Sequence, residues 1–178
     1  DDPANFSFRS PPCSFYSGTK ALGEEVLEGA ERCHVWRLRI PFNHEETARN
    51  YLCKVMNYPR LLDAENSVSR LDEFVEACLS CIEKDIPFGT YNMTNPGSLT
   101  TRQVTEWMHE EGVTDKEFDF FEDEEAFMQE VASAPRSNCV MDASKLASVG
   151  IEMRPVEEAV RDSLRKMRMV SQAERVPG

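Results

Sequence analysis

The feature that most constrains this chain is a helical pattern followed at once by a buried strand. From Tyr16 to about Ala30, Ala21, Leu22, Val26 and Leu27 recur at helical spacing with Glu24, Glu25 and Glu28 between them, and Gly29 with Glu31-Arg32 closes the segment. Cys33 to Phe42 then alternates, with His34, Trp36, Leu38 and Ile40 on one face, Val35, Arg37 and Arg39 on the other, and Pro41 expected to stop the ladder. A helix that runs straight into a strand is half of a β–α–β crossover, so the pattern calls for an α/β fold with a parallel sheet.

The rest of the chain continues the alternation. Tyr51, Leu52, Val55 and Met56 make a short helical face, Arg60–Ala64 and Thr90–Met93 read as short strands, and Asn95-Pro96-Gly97 is a turn. Leu71–Glu83 reads as an amphipathic helix with the apolar stripe Leu71, Phe74, Val75, Cys78, Leu79 and Ile82. Helices are expected over Ser98–Glu111 with Thr100 or Thr101 as N-cap, over Glu122–Ala132, Asp142–Ser148 and Val156–Met169, with an edge strand near Phe118–Phe121 and a frayed tail from Val170.

Composition excludes several classes of function. The net charge of −12 disfavours nucleic-acid and anionic-membrane partners, which need a basic face, but leaves room for an anionic small ligand held by a few local arginines. No window of about 18 apolar residues exists to span a bilayer. Of the six cysteines only Cys78 and Cys81 are close, with no second pair or histidine at ligand spacing, so they are read as packing residues and no metal site is expected. Free thiols suggest a reducing cytoplasm. The opening Asp1-Asp2-Pro3-Ala4-Asn5-Phe6 has neither an initiating Met nor a signal pattern and is expected to be the middle of a longer chain.

The stretch with chemistry in it is Tyr16-Ser17-Gly18-Thr19-Lys20. On a helix, residues four apart share a face, about 5–6 Å apart at Cβ. An ammonium beside a phenol favours the phenolate, and such a tyrosine can exchange a proton with a carbonyl or alcohol oxygen. A Tyr-x-x-x-Lys alone is a weak signal; its order relative to the strand ending in Pro41-Phe42 strengthens it.

With these pieces in place the chain resembles the nucleotide-rhamnose synthase/epimerase-reductases, extended short-chain dehydrogenase/reductases also similar to dTDP-4-dehydrorhamnose reductases. The matching pieces are Phe15–Ala21, Arg37–Phe42, Arg49–Leu52, Thr94–Gly97, Ala134–Asn138 and Met141–Leu146, in order along nearly the whole chain. The resemblance implies the C-terminal part of a Rossmann-like fold, a parallel-sheet remnant plus a small α/β substrate-binding domain. Residues 1–45 would end the cofactor domain, 46–170 would be mostly substrate-binding, and 171–178 would be a tail. It implies an NADPH- or NADH-dependent oxidoreductase that reduces a 4-keto-6-deoxy-hexose nucleotide toward dTDP- or UDP-rhamnose, with 3,5-epimerisation in bifunctional members. Tyr16 would be the proton donor, and Lys20 would bond the nicotinamide ribose. Pro41 and Phe42 would border the nicotinamide. Arg49 and Asn50 would contact the sugar nucleotide, Lys54 is a candidate acid/base for epimerisation, and Arg136 would grip the diphosphate.

The chain departs from the family pattern in one way that matters. The glycine-rich dinucleotide loop is absent, and so are the upstream Ser or Thr and the epimerase cysteine. The expected partners are therefore a nucleotide-sugar substrate and a missing N-terminal Rossmann half, with a homodimer as a candidate assembly, and the isolated chain is expected to be inactive. Two other readings stand beside this one: a non-catalytic regulatory or binding subunit, and an extended reductase or epimerase acting on another sugar nucleotide.

Overall fold

The computed structural model describes residues 15–131 and 138–174. The chain opens with α1 (Phe15–Val26) and passes through a turn at 27–33 into β1 (His34–Arg37). Then come β2 (Pro41–Phe42), α2 (Tyr51–Asn57), β3 (Arg60–Leu61), β4 (Glu65–Asn66), β5 (Ser69–Arg70) and α3 (Leu71–Glu83). The remainder is β6 (Gly89–Asn92), β7 (Leu99–Thr100), α4 (Thr101–Glu110), β8 (Asp119–Phe120), α5 (Glu124–Glu130), α6 (Ser144–Ser148) and α7 (Val156–Glu174). The expected α/β class with parallel pairing is what forms: β1 lies parallel to β6, β2 to β5 and β3 to β8, while β4 and β7 are antiparallel. Among the described residues no helix is long and apolar enough to cross a membrane.

The strand expected over Cys33–Phe42 is broken in two. Its first half pairs with β6, with His34 opposite Gly89 and Arg37 opposite Asn92. Ile40 then adopts φ 37°, an uncommon left-handed conformation for a β-branched residue, and the chain leaves β6. Pro41 does not stop the ladder; it begins β2, opposite Ser69 of β5. This suits proline, which is tolerated as the first residue of a strand because it has no N–H to donate.

The apolar stripe of α3 also turns differently from its sequence pattern. Ala77, Cys78 and Cys81 face inward, in one core cluster with Tyr91, Met93, Leu146 and Ile151. Val75, Leu79 and Ile82 are more than half exposed on the other side. The inward face carries the small side chains at 77, 78 and 81, which pack with Tyr91 and Met93. Burial pushes the Cys78 thiol up to about 11 and raises that of Cys81, as expected for packing cysteines.

A larger core joins α2, α4 and α7 through Phe42, Leu52, Val55, Trp107, Met108, Val160 and Leu164. Thr100 caps α4 in a reciprocal box with Gln103, and Asp123 caps α5 by accepting from the Ala126 N–H at 2.8 Å.

An ionic network centres on one buried arginine. Arg70, 2% exposed, donates from Nη1 to Asp162 Oδ2 at 2.5 Å, joining β5 to α7. Its backbone N–H donates to Asn95 Oδ1 at 2.8 Å, and Asn95 Nδ2 donates on to Glu73 Oε2 at 2.8 Å. Arg154 completes the network by donating from Nε to Glu73 Oε1 at 2.7 Å. Burial alone would raise the Asp162 carboxyl, but the hydrogen bonds from Arg70 and Lys166 overcome it and hold the group well below the ordinary carboxylate range. A depressed carboxylate stabilises the fold above its unfolded pKa of about 4 and loses that contribution as pH falls toward its folded value. Asp162→Asn should therefore cost about 1–3 kcal/mol at pH 7, the scale of a hydrogen bond to a charged group. In urea titrations the gap to wild type should narrow below about pH 4; a gap that stays constant down to pH 3 would remove Asp162 from the network's energetics.

Candidate active site

Tyr16 and Lys20 stand one turn apart on α1, and Lys20 Nζ lies 5.3 Å from the centroid of the Tyr16 ring. Tyr16 is 70% exposed and Lys20 is exposed as well, while Gly18 between them is buried. The helix thus turns its glycine inward and its phenol and ammonium outward. Thr19 Oγ1 donates to the Tyr16 carbonyl at 2.8 Å, closing the first turn. Helix α1 leads through the turn at 27–33 directly into β1.

Arg37 ties the helix to the sheet. Its Nε donates to Glu24 Oε1 at 2.9 Å and its Nη2 to Oε2 at 2.7 Å, a bidentate fork. The hydrogen bond to Glu24, stronger than the opposing burial, raises the Arg37 guanidinium above its ordinary value. Arg39 donates from Nη2 to the amide oxygen of Asn66 at 2.7 Å.

The segment after the kink carries the next candidates. Pro41 is exposed, but the Phe42 ring is fully enclosed in the core and presents no side-chain surface to a ligand. Asn50 is 4% exposed and is the N-cap of α2, accepting from the Leu52 N–H at 3.1 Å. Its Nδ2 donates to the carbonyls of Asn43 at 3.0 Å and Glu45 at 2.7 Å. Asn50 therefore serves the loop rather than offering free polar atoms to a sugar nucleotide. Arg49 before it and Lys54 one turn later are exposed. Burial pushes the phenol of neighbouring Tyr51 up to about 12, so it stays protonated near neutral pH. Lys116 Nζ closes the far end of α2 by donating to the carbonyls of Met56 at 2.7 Å and Tyr58 at 2.8 Å.

Arg136 lies outside the described residues. The chain just beyond it is pinned by a network that the sequence did not flag. Asn66 Oδ1 accepts from the Cys139 N–H at 3.1 Å and Asn66 Nδ2 donates to Asn138 Oδ1 at 3.2 Å. The Met141 N–H donates to Ser67 Oγ at 2.9 Å. Beside this junction is a cleft of about 480 Å³ lined by Asp63, Glu65, Arg102, Phe121 and Asn138 among others. A second cleft of similar volume lies between α3 and Gly150–Arg154, and neither is lined by Tyr16 or Lys20.

The two ends of a dinucleotide fit the described residues differently. An exposed phenol and ammonium one turn apart suit a nicotinamide ribose and a reacting oxygen. For the pyrophosphate, no described strand–turn–helix carries clustered glycines. Among the described residues no group of His, Cys, Asp and Glu could hold a metal ion.

This arrangement is that of an extended short-chain dehydrogenase/reductase fold. A UDP-rhamnose synthase from Acanthamoeba polyphaga mimivirus superposes with TM-score 0.79 at 22% identity, over 91% of this chain and 57% of that one. A dTDP-4-dehydrorhamnose reductase from Bacillus anthracis, solved in complex with NADP, superposes with TM-score 0.70 at 14% identity, over 90% of this chain and 57% of that one. The sequence relatives are nucleotide-rhamnose synthase/epimerase-reductases. A bifunctional dTDP-4-dehydrorhamnose 3,5-epimerase/reductase from Arabidopsis thaliana is 34% identical over 151 residues, 83% of this chain and 48% of the relative. A trifunctional UDP-glucose 4,6-dehydratase/3,5-epimerase/UDP-4-keto-L-rhamnose reductase from the same plant is 32% identical, over 83% of this chain and 22% of the relative. The chain thus spans about half the length of the first relative and about a fifth of the second. No protein-family model matches it.

If the Arg37–Glu24 fork holds α1 on the sheet, Arg37→Lys keeps the charge but loses the fork. Amide hydrogen exchange within α1 should then quicken about fivefold or more, the scale of about 1 kcal/mol, with α4 unchanged. Equal protection of α1 in both proteins would show that other contacts hold it.

Proposed function

We propose that this chain is the tyrosine-bearing, substrate-side part of an NAD(P)H-dependent reductase acting on a 4-keto-6-deoxy-hexose nucleotide, on the path to dTDP- or UDP-rhamnose. The observation that carries the reading is the Tyr16–Lys20 pair, exposed one turn apart on α1 in a chain whose relatives are named as rhamnose-forming reductases and epimerases. The cofactor would supply a hydride to the C4 carbonyl. Tyr16 would donate its phenolic proton to the oxygen on which negative charge develops. Lys20, one turn away, would bond the nicotinamide ribose and favour proton release by Tyr16. Exposed Pro41 would border the nicotinamide, and Phe42 would support that edge from within the core. Arg49 and Arg136 would meet the sugar nucleotide, and Lys54 would serve as acid/base where epimerisation at C3 and C5 accompanies reduction.

In this reading residues 1–45 complete a cofactor domain and 46–170 form the substrate-binding region. A glycine-rich Rossmann half would bind the pyrophosphate, because no such loop exists in these 178 residues. Free buried thiols support a reducing, cytoplasmic setting.

The test is NADPH oxidation by the chain joined to a glycine-rich dinucleotide-binding half. Tyr16→Phe removes one hydroxyl from an exposed ring, so folding should survive. kcat should fall by about 10²–10⁴, the usual contribution of a general acid, with sugar-nucleotide KM little changed. Lys20→Met should weaken cofactor binding as well as kcat. If Tyr16→Phe keeps more than about half the wild-type kcat, far above the range for a lost general acid, the assignment is wrong and a non-catalytic binding role moves ahead.

A further inference from the structure

We propose that Asn50 is a positioning residue that holds Arg49 toward the sugar nucleotide, and that it is not itself a ligand. The proposal rests on the reading above for Arg49. It goes beyond that reading in assigning how the loop before α2 is held.

The whole 43–50 loop folds around one buried amide. The Asn50 Nδ2 donates to carbonyls on both sides of His44, those of Asn43 and Glu45, and lies 3.2 Å from Asn43 Oδ1. The Asn50 Oδ1 accepts from the Leu52 N–H. These partners leave only one sensible orientation of the amide, with nitrogen toward the carbonyls and oxygen toward the N–H. The backbone adds two links, Thr47 N–H to the Glu45 carbonyl at 3.0 Å and Asn50 N–H to the Thr47 carbonyl at 3.1 Å. The Glu45 N–H donates to Asn43 Oδ1 at 3.1 Å. Arg49 sits between the Thr47 and Asn50 ends of this folded loop, with its side chain exposed and with no partner among the described residues. A long cation with no partner owes its direction to the backbone beneath it, and Asn50 fixes that backbone. At 4% exposure, with every side-chain polar atom engaged, Asn50 has nothing left to offer a ligand.

Asn50→Ser separates the two tasks of this side chain. A serine hydroxyl still caps α2, since serine is as good an N-cap as asparagine, but it cannot donate to both loop carbonyls. The probe is uridine diphosphate, titrated calorimetrically into the 178-residue chain, wild type and variants. Arg49→Ala should weaken binding about tenfold, the scale of a charge-assisted hydrogen bond. Asn50→Ser should weaken it about fivefold. The double variant should bind no more weakly than Arg49→Ala alone, because Asn50 acts only through Arg49. Hydrogen exchange should meanwhile quicken at Glu45–Asn50 in Asn50→Ser and stay slow within α2.

Additive losses, about 50-fold in the double variant, would make Asn50 a direct ligand and overturn the proposal. Unchanged uridine diphosphate affinity in Asn50→Ser with a loosened loop would also overturn it, leaving a purely structural cap. If wild type fails to bind uridine diphosphate at all, the functional reading itself fails and this proposal falls with it.

Discussion

One serine hydroxyl makes the split strand workable. Ser69 Oγ donates to the Met93 carbonyl at 2.7 Å and accepts from the Arg39 N–H at 3.1 Å. The Ser69 N–H reaches the Ile40 carbonyl at 3.4 Å. Strand β1 ends at Arg37, and the run up to Ile40 has left its partner β6 by the time β2 forms. Without the Ser69 hydroxyl the Arg39 N–H and the Met93 carbonyl would lose this partner, at a cost of about 1–3 kcal/mol for a group left buried and unsatisfied. Ile40 itself sits at φ 37°, a conformation that costs about 1–3 kcal/mol for such a residue. The hydroxyl holds the kink in place, and the kink sends the chain from the sheet edge into the loop that Asn50 organises.

Much of this was legible in the sequence because it depends on local periodicity. The bounds of α3 fall at Leu71 and Glu83 as the apolar spacing predicts, and Thr100 caps α4 as its position before a helical pattern suggests. Parallel pairing follows from helix-then-strand order, although that order does not say that β6 is the partner of β1. What sequence could not give was long-range. Which face of α3 goes inward was decided by small residues at 77, 78 and 81 meeting Tyr91 and Met93, not by the widest apolar stripe. The strand break at Ile40 depends on a serine 29 positions later in the chain, and alternation of apolar residues carries no information about it.

The candidate site divides along the same line. Tyr16 and Lys20 were readable because i and i+4 on a helix must share a face, and Lys20 does lie over the Tyr16 ring. Asn50 and Phe42 were readable as positions but not as roles. The motif places them beside a ligand, whereas their burial gives the amide to the loop and the ring to the core. Asn66 escaped notice because its partners, Arg39, Asn138 and Cys139, are scattered over 100 residues. The net charge of −12 is likewise compatible with an anionic ligand, since a few local arginines suffice to hold one whatever the mean.

The proposed function rests on one claim, that this chain would supply the tyrosine and sugar-nucleotide side of a reductase and leave the dinucleotide's pyrophosphate to a glycine-rich half. Calorimetric titration of the 178-residue chain with NADPH tests that claim most directly. The account predicts no saturable binding in the micromolar range. Micromolar binding of NADPH to this chain alone would contradict it, because a pyrophosphate site would then exist without the glycine-rich turn.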